Sequence, residues 1–179
     1  MGARIQEAAS PWSRVWREAP VATAIATWFG SGFLPLVPGT WGSLATIPVF
    51  HLVHAWAGLP GTVVFTVAVT LLGGVAAHRA AARLRISDPS QIVIDEVAGQ
   101  SIALLFVYEL FPASGGSLLF LSMIALSFVL FRIFDIWKPG PVGWLERLPG
   151  GLGIMSDDLL AGLFAGLLVA ATHLAFFRA

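Results

Sequence analysis

Three features of the sequence predict an all-α integral membrane protein: a polytopic helical bundle of four to five transmembrane helices with an N-terminal interfacial or re-entrant segment. The first is composition. Of 179 residues, 57% are hydrophobic and 11% charged, where a water-soluble domain carries roughly a quarter charged residues. The second is the recurrence of apolar stretches long enough to cross a hydrocarbon core of ~30 Å as helix. The third is the placement of the cations, which gather between alternate stretches. Residues 1–179 read as a single membrane domain, with 1–41 an entry segment and Gly/Pro loop and 42–179 the transmembrane bundle.

Four stretches are clear: Gly61 to Ala77, Val97 to Phe111, Ser117 to Phe134 and Leu159 to Phe177. The second is short unless it begins near Ile92, which would put Asp95 and Glu96 at its end. A fifth, Gly42 to Ala57, contains Pro48, His51 and His54, and membrane helices tolerate such residues when neighbouring helices satisfy the freed backbone groups. Ala19 to Phe33 is also apolar, but Gly30, Gly32, Pro35, Pro38, Gly39 and Gly42 follow so densely that a continuous crossing helix is not expected. A cleaved signal peptide is disfavoured there, because no small-residue cleavage site ends the run.

Five crossings with the N-terminus inside place Arg4, Arg14, Arg17, Arg79, Arg83, Arg85, Arg132, Lys138 and Arg147 on the inner side and leave Arg178 alone outside. That is the asymmetry of the positive-inside rule, and a sixth crossing would reverse it. Trp12, Trp16, Trp41, Trp137 and Trp144 fall near the inner interface and Trp56 near the outer one, at the depth where indoles anchor.

Ten Lys and Arg balance ten Asp and Glu, so neither nucleic acid nor a disordered acidic tail is indicated. The absence of cysteine excludes a disulfide framework, a thiolate metal site and a cysteine nucleophile.

The same topology sorts the acids. Glu7, Glu18, Asp88, Asp95, Glu96, Asp135, Glu146, Asp157 and Asp158 land on the inner side or at inner helix ends, with Glu109 near the outer face. Asp95 with Glu96, Asp135, and Asp157 with Asp158 each abut an apolar helix. Carboxylates at that depth are costly unless paired or bound to a cation. Five of them without cysteine or paired inner histidines describe a hard-cation site, best suited to Mg²⁺. Arg132, Asp135 and Lys138 follow at spacing three, so a helix reaching Lys138 would put them on one face. Asp135 would then face the metal while Arg132 and Lys138 hold phosphate oxygens; a salt-bridge ladder is the alternative.

The glycine-rich stretch from Gly30 to Ser43 could offer open backbone N–H groups, at Gly39 above all, together with the hydroxyls of Thr40 and Ser43, as an anion-binding nest. It lacks a Walker ending. A second glycine turn, Gly150-Gly151-Leu152-Gly153, leads directly to Asp157. His51, His54, His78 and His173 are too dispersed for one ligand set and suit hydrogen-bonded structural roles. Gly162 and Gly166 form a small-xxx-small pair that reads as close helix packing.

Together these regions resemble the phosphatidylglycerophosphatase A family of bacterial membrane phosphatases, from about Gly30 to Gly162. Pro38-Gly39-Thr40-Trp41-Gly42-Ser43 is similar to the end of that family's glycine-proline loop. Ile92-Val93-Ile94-Asp95-Glu96-Val97-Ala98-Gly99 is similar to its second motif. Phe131-Arg132-Ile133-Phe134-Asp135-Ile136-Trp137-Lys138-Pro139-Gly140-Pro141 and the run from Gly150 to Gly162 resemble its closing signature. Gly140 stands where an aromatic residue is common, and Glu146 where aspartate is usual.

The resemblance implies a multi-pass enzyme of the bacterial inner membrane with its active site at the cytoplasmic face. Its implied reaction is removal of the terminal phosphate of phosphatidylglycerophosphate, giving phosphatidylglycerol and inorganic phosphate. On this reading Mg²⁺ is held among Asp95, Glu96, Asp135, Asp157 and Asp158, with Arg132, Lys138 and the N–H groups near Gly39 neutralising phosphate oxygens. Attack by water and an aspartyl-phosphate route are both compatible with these residues. A lipid phosphotransferase is disfavoured because its Asp-Gly-x-x-Ala-Arg pattern is absent, and a histidine-dependent lipid phosphatase because Ser-Gly-His is absent. An ion or solute carrier is disfavoured because the acids lie at one interface rather than at the midplane.

Overall fold

The computed structural model describes residues 10–111 and 118–177. Arg4, Glu7 and Arg178, and the expected helix start at Ser117, lie outside the described residues. Among those described the architecture is helical, with no strand. Its helices are α1 (Pro11–Glu18), α2 (Pro20–Ala26), α3 (Pro38–Leu84), α4 (Ile94–Leu110), α5 (Leu118–Trp137), α6 (Pro141–Leu145) and α7 (Gly151–Phe177).

Proline at the first helical position starts α1, α2, α3 and α6, where its missing N–H has no intrahelical partner to lose. α1 and α2 are 8 and 7 residues long, too short to span ~30 Å at ~1.5 Å per residue. The chain then passes through positive-φ backbone at Trp28, Phe29, Gly30 and Leu36 before α3. The entry segment is therefore folded against the bundle rather than through it. Trp12 Nε1 donates to Gln91 Oε1 at 3.2 Å, and the Val93 N–H donates to the Ala26 carbonyl at 2.9 Å.

The 47 residues of α3 do not form one rod. Gly58 has φ 59° and ψ −159°, a region essentially reserved for glycine. The Phe50 and Phe65 rings lie 6.3 Å apart, whereas fifteen residues of straight helix would separate them by ~22 Å. α3 is thus a hairpin folded at Gly58, with its two arms, 38–57 and 59–84, side by side. Gly42 on the first arm and Gly73 on the second both pack on the start of α4, against Val93 and Ile94 respectively.

α3, α5 and α7 are each long and apolar enough to cross a membrane. Their outer faces carry Leu52, Val64, Leu71, Leu118, Ile136 and Leu167, all at least half exposed, a belt that would aggregate in water and is solvated by lipid tails. α4 is the central helix. Val97, Ala98, Ala103, Leu104 and Val107 are fully buried along it, packed by α3 on one side and α7 on the other. The far half of the bundle is filled by Phe50, Leu104, Val107, Tyr108, Phe120 and Val169.

Candidate active site

The chain order of the helices brings the starts of α3, α4 and α7 and the end of α5 to one end of the bundle. Asp95 and Glu96 occupy the first turn of α4, where the helix dipole favours negative charge. Asp157 and Asp158 lie in the second turn of α7, and Arg132 and Asp135 in the last turns of α5. The first turn of α3 supplies Gly39. A Cβ there would overlap the Glu96 carboxylate and lie 3.1 Å from an Arg132 nitrogen.

Two glycines set the register between α4 and α7. A Cβ on Gly162 would overlap the Gly99 carbonyl, and one on Gly99 would overlap the Asp158 carbonyl. Gly99 follows Asp95 by four residues and Gly162 follows Asp158 by four, so this backbone contact sits one turn below both acids. It aligns the two carboxylates across the helix interface. The packing expected of Gly162 and Gly166 is present, with Gly166 closed against the Phe106 ring.

Asp95, Glu96 and Asp158 each offer a carboxylate oxygen, and the three atoms lie within 4.8 Å of one another. Asp95 and Asp158 are 8% and 3% exposed. Asp95 Oδ1 and Glu96 Oε2 are buried without a hydrogen-bond partner among the described residues. Like charges packed this tightly out of water need a compensating cation. Three carboxylate oxygens converging on one point, in a group where Asp95 and Glu96 each keep a buried oxygen without a partner, form a donor set suited to a hard divalent ion. The residues present therefore fit a metal such as Mg²⁺.

The protein's own cations are divided between the remaining acids. Arg132 Nη1 lies 2.6 Å from Asp135 Oδ2 and 3.9 Å from Glu96 Oε1. Its Nε and Nη1 are both buried without a hydrogen-bond partner among the described residues, so these contacts are ion pairs by distance rather than aligned hydrogen bonds. Lys138 Nζ lies 2.8 Å from Asp157 Oδ2 and 3.0 Å from Glu146 Oε1. Burial alone would lower the Lys138 pKa, but the hydrogen bonds to Asp157 and Glu146 outweigh it and hold the ammonium above its usual range.

A cleft of about 450 Å³ opens onto these groups, lined among others by Gly39, Asp95, Glu96, Asp135, Lys138, Asp157 and Asp158. Arg132 stands behind Glu96 and Asp135. Two expectations change in detail. Lys138 does not continue α5: it follows the last helical residue at φ 47° and turns to Asp157 and Glu146, leaving Asp135 flanked by Arg132 alone. The expected open loop around Thr40 and Ser43 is instead helix. Ser43 is fully buried and donates its hydroxyl to the Gly39 carbonyl at 2.9 Å, and neither Thr40 nor Ser43 lines the cleft. Only Gly39 of that trio reaches it.

The sequence reading left Asp88, Glu146 and Arg147 out of the site, although all three line the cleft. They sit on connecting segments, where no helical periodicity marks which way a side chain faces. The histidines lie outside the cleft, as their dispersion suggests. His51 Nδ1 shares a 2.8 Å hydrogen bond with the Tyr108 hydroxyl, and His78 Nδ1 accepts from the Gly151 N–H at 3.4 Å.

Residues 24–173 match the family described as Phosphatidylglycerophosphatase A. The chain is 37% identical over 151 residues to the Escherichia coli protein of that name, covering 83% of this chain and 82% of the relative. It is 36% identical to the Haemophilus influenzae protein of the same name, covering 82% and 85%. A Bacteroides thetaiotaomicron protein, named provisionally as a phosphatidylinositol-3-phosphatase, is 39% identical, covering 83% and 91%. Comparison with solved structures returns no match.

Fold, cleft and kinship define an all-helical membrane phosphatase, a phosphoric monoester hydrolase. The chain belongs to the phosphatidylglycerophosphatase A family.

Proposed function

We propose that this protein removes the terminal phosphate of phosphatidylglycerophosphate in a Mg²⁺-dependent reaction at the cytoplasmic face of the bacterial inner membrane. The observation that carries the reading is the convergence of Asp95, Glu96 and Asp158 within 4.8 Å in a cleft that also holds Lys138. Family membership supports the substrate assignment. The two arms of α3, with α4, α5 and α7, make five crossings, which puts Arg79, Arg83, Arg132, Lys138 and Arg147 at the same end as the cleft. The positive-inside rule assigns that end to the cytoplasm.

Asp95, Glu96 and Asp158 would hold the metal, and when bound it supplies Lewis-acid charge neutralisation to the phosphate. Arg132 fixes Asp135 and Glu96 in position by charge. Lys138, permanently cationic, orients Asp157 and faces the cleft, where it favours the extra negative charge of a phosphoryl group in transfer. Gly39 keeps the first turn of α3 bare, leaving room beside Glu96. In hydrolysis the ester P–O bond breaks, the oxygen of water ends on phosphorus, and a proton ends on the glycerol hydroxyl.

Phosphate release by the purified protein in mixed micelles tests the reading, with phosphatidylglycerophosphate, phosphatidate and phosphatidylinositol 3-phosphate compared side by side. Highest kcat/KM on the first is expected. Equal or higher efficiency on phosphatidate overturns the substrate assignment, and a preference for phosphatidylinositol 3-phosphate moves it to the activity named for the Bacteroides relative.

A further inference from the structure

Two cations, Lys138 and Arg147, line the cleft and Arg132 stands behind it, and their pairing differs. Arg132 is held by Asp135 and Glu96, and Lys138 by Asp157 and Glu146. Arg147 lines the same cleft, yet among the described residues it makes no ion pair and no side-chain hydrogen bond. Its backbone is fixed, the N–H donating to the Trp144 carbonyl at 3.2 Å. The flanking side chains identify its depth. Trp144 is 67% and Leu148 42% exposed, apolar groups on a short segment at the charged end of the bundle, where an indole sits at headgroup level. Arg147 is thus a solvent-exposed guanidinium on the cleft wall, without an ion-pair partner among the described residues, beside side chains at the height of lipid headgroups.

The substrate class proposed above carries two phosphates: a terminal monoester, which is removed, and a diester that joins the headgroup glycerol to the diacylglycerol. The monoester belongs at the buried carboxylate end. The diester lies one glycerol nearer the lipid body, and therefore toward the exposed part of the cleft wall rather than the buried acids. A guanidinium matches phosphate oxygens in charge and in donor geometry. We propose that Arg147 binds the diester phosphate and is the residue by which the enzyme distinguishes a lipid with two phosphates from one whose only phosphate is the terminal monoester. Arg147 takes no part in bond breaking; it is a specificity-determining residue. This inference rests on the substrate reading above.

The test is a kinetic comparison of wild type, Arg147→Gln and Arg147→Lys on phosphatidylglycerophosphate and phosphatidate in mixed micelles. Arg147→Gln is expected to lose about tenfold in kcat/KM on the two-phosphate lipid, the worth of one charge-assisted contact. The loss should fall in KM, with kcat and the rate on phosphatidate unchanged. Arg147→Lys should recover part of the loss. Equal losses on both lipids, or none on either, overturn the assignment of Arg147 while leaving the substrate reading intact. A wild type that already hydrolyses both lipids equally well overturns the substrate reading and the role of Arg147 with it.

Discussion

Substituting Gly162 by alanine tests whether the α4–α7 crossing positions the acids. The added Cβ would overlap the Gly99 carbonyl oxygen and sit 2.7 Å from the Gly99 carbonyl carbon, both backbone atoms that cannot rotate aside. The helices must separate by roughly an ångström or shift in register. Overpacking of this kind costs about 1–3 kcal/mol, and replacing helical glycine by alanine returns at most about 1 kcal/mol. With the full return the net is a destabilisation of up to roughly 2 kcal/mol. Because the contact lies one turn below Asp95 and Asp158, the same movement spreads the carboxylates, so turnover should fall by more than the loss of folded protein. Gly74→Ala is the control, since its Cβ would meet Met155 Cγ at an ordinary 3.6 Å. Thermal unfolding in detergent, measured beside phosphate release per folded molecule, gives both quantities. Wild-type stability and turnover in Gly162→Ala would refute the reasoning.

Gly58→Ala should destabilise the α3 hairpin by about 1–3 kcal/mol, because only glycine adopts its φ/ψ without strain; a lower unfolding temperature with normal turnover in the folded fraction is expected, and no change would argue against a fixed fold-back. Since the natural chain has no cysteine, single cysteines at Ser90 and Ala57 can be probed with an impermeant thiol reagent in oriented vesicles. Labelling from opposite sides is expected, Ser90 from the cytoplasmic side, and labelling of both from one side would break the five-crossing topology.

Much of the site was legible because alternation of apolar stretches fixes which helix ends share a side. With Gly61 to Ala77, Val97 to Phe111, Ser117 to Phe134 and Leu159 to Phe177 as crossings, Asp95, Asp135 and Asp158 must meet at one end, and they do. The Gly58-Leu59-Pro60-Gly61 interruption likewise separates the two arms of α3 in the sequence. Helical spacing does not extend to Lys138, because it precedes Pro139, whose ring disfavours helical backbone in the residue before it. Ser43 follows a glycine-rich stretch that suggests a loop, yet Pro38 starts a helix, and inside a helix a serine hydroxyl turns to the carbonyl four residues back. Gly162 could be read as a packing residue, but its partner Gly99 could not, because inter-helix register follows from the whole packed bundle. Arg147 and Glu146 sit on a connection whose side-chain directions no periodicity encodes.

The central claim is that Asp95, Glu96 and Asp158 act together as the seat of a divalent cation on which catalysis depends. Phosphate release from phosphatidylglycerophosphate is to be measured across a Mg²⁺ titration after chelation, for wild type and Asp158→Asn, with direct Mn²⁺ binding and thermal unfolding recorded on the same samples. Chelated wild type should be inactive and recover with Mg²⁺, whereas Asp158→Asn should bind the ion weakly and stay inactive. Without metal, the variant should be at least as stable as wild type, because one of three crowded negative charges is gone. Full turnover by chelated wild type, or wild-type Mn²⁺ binding by Asp158→Asn, would contradict the account.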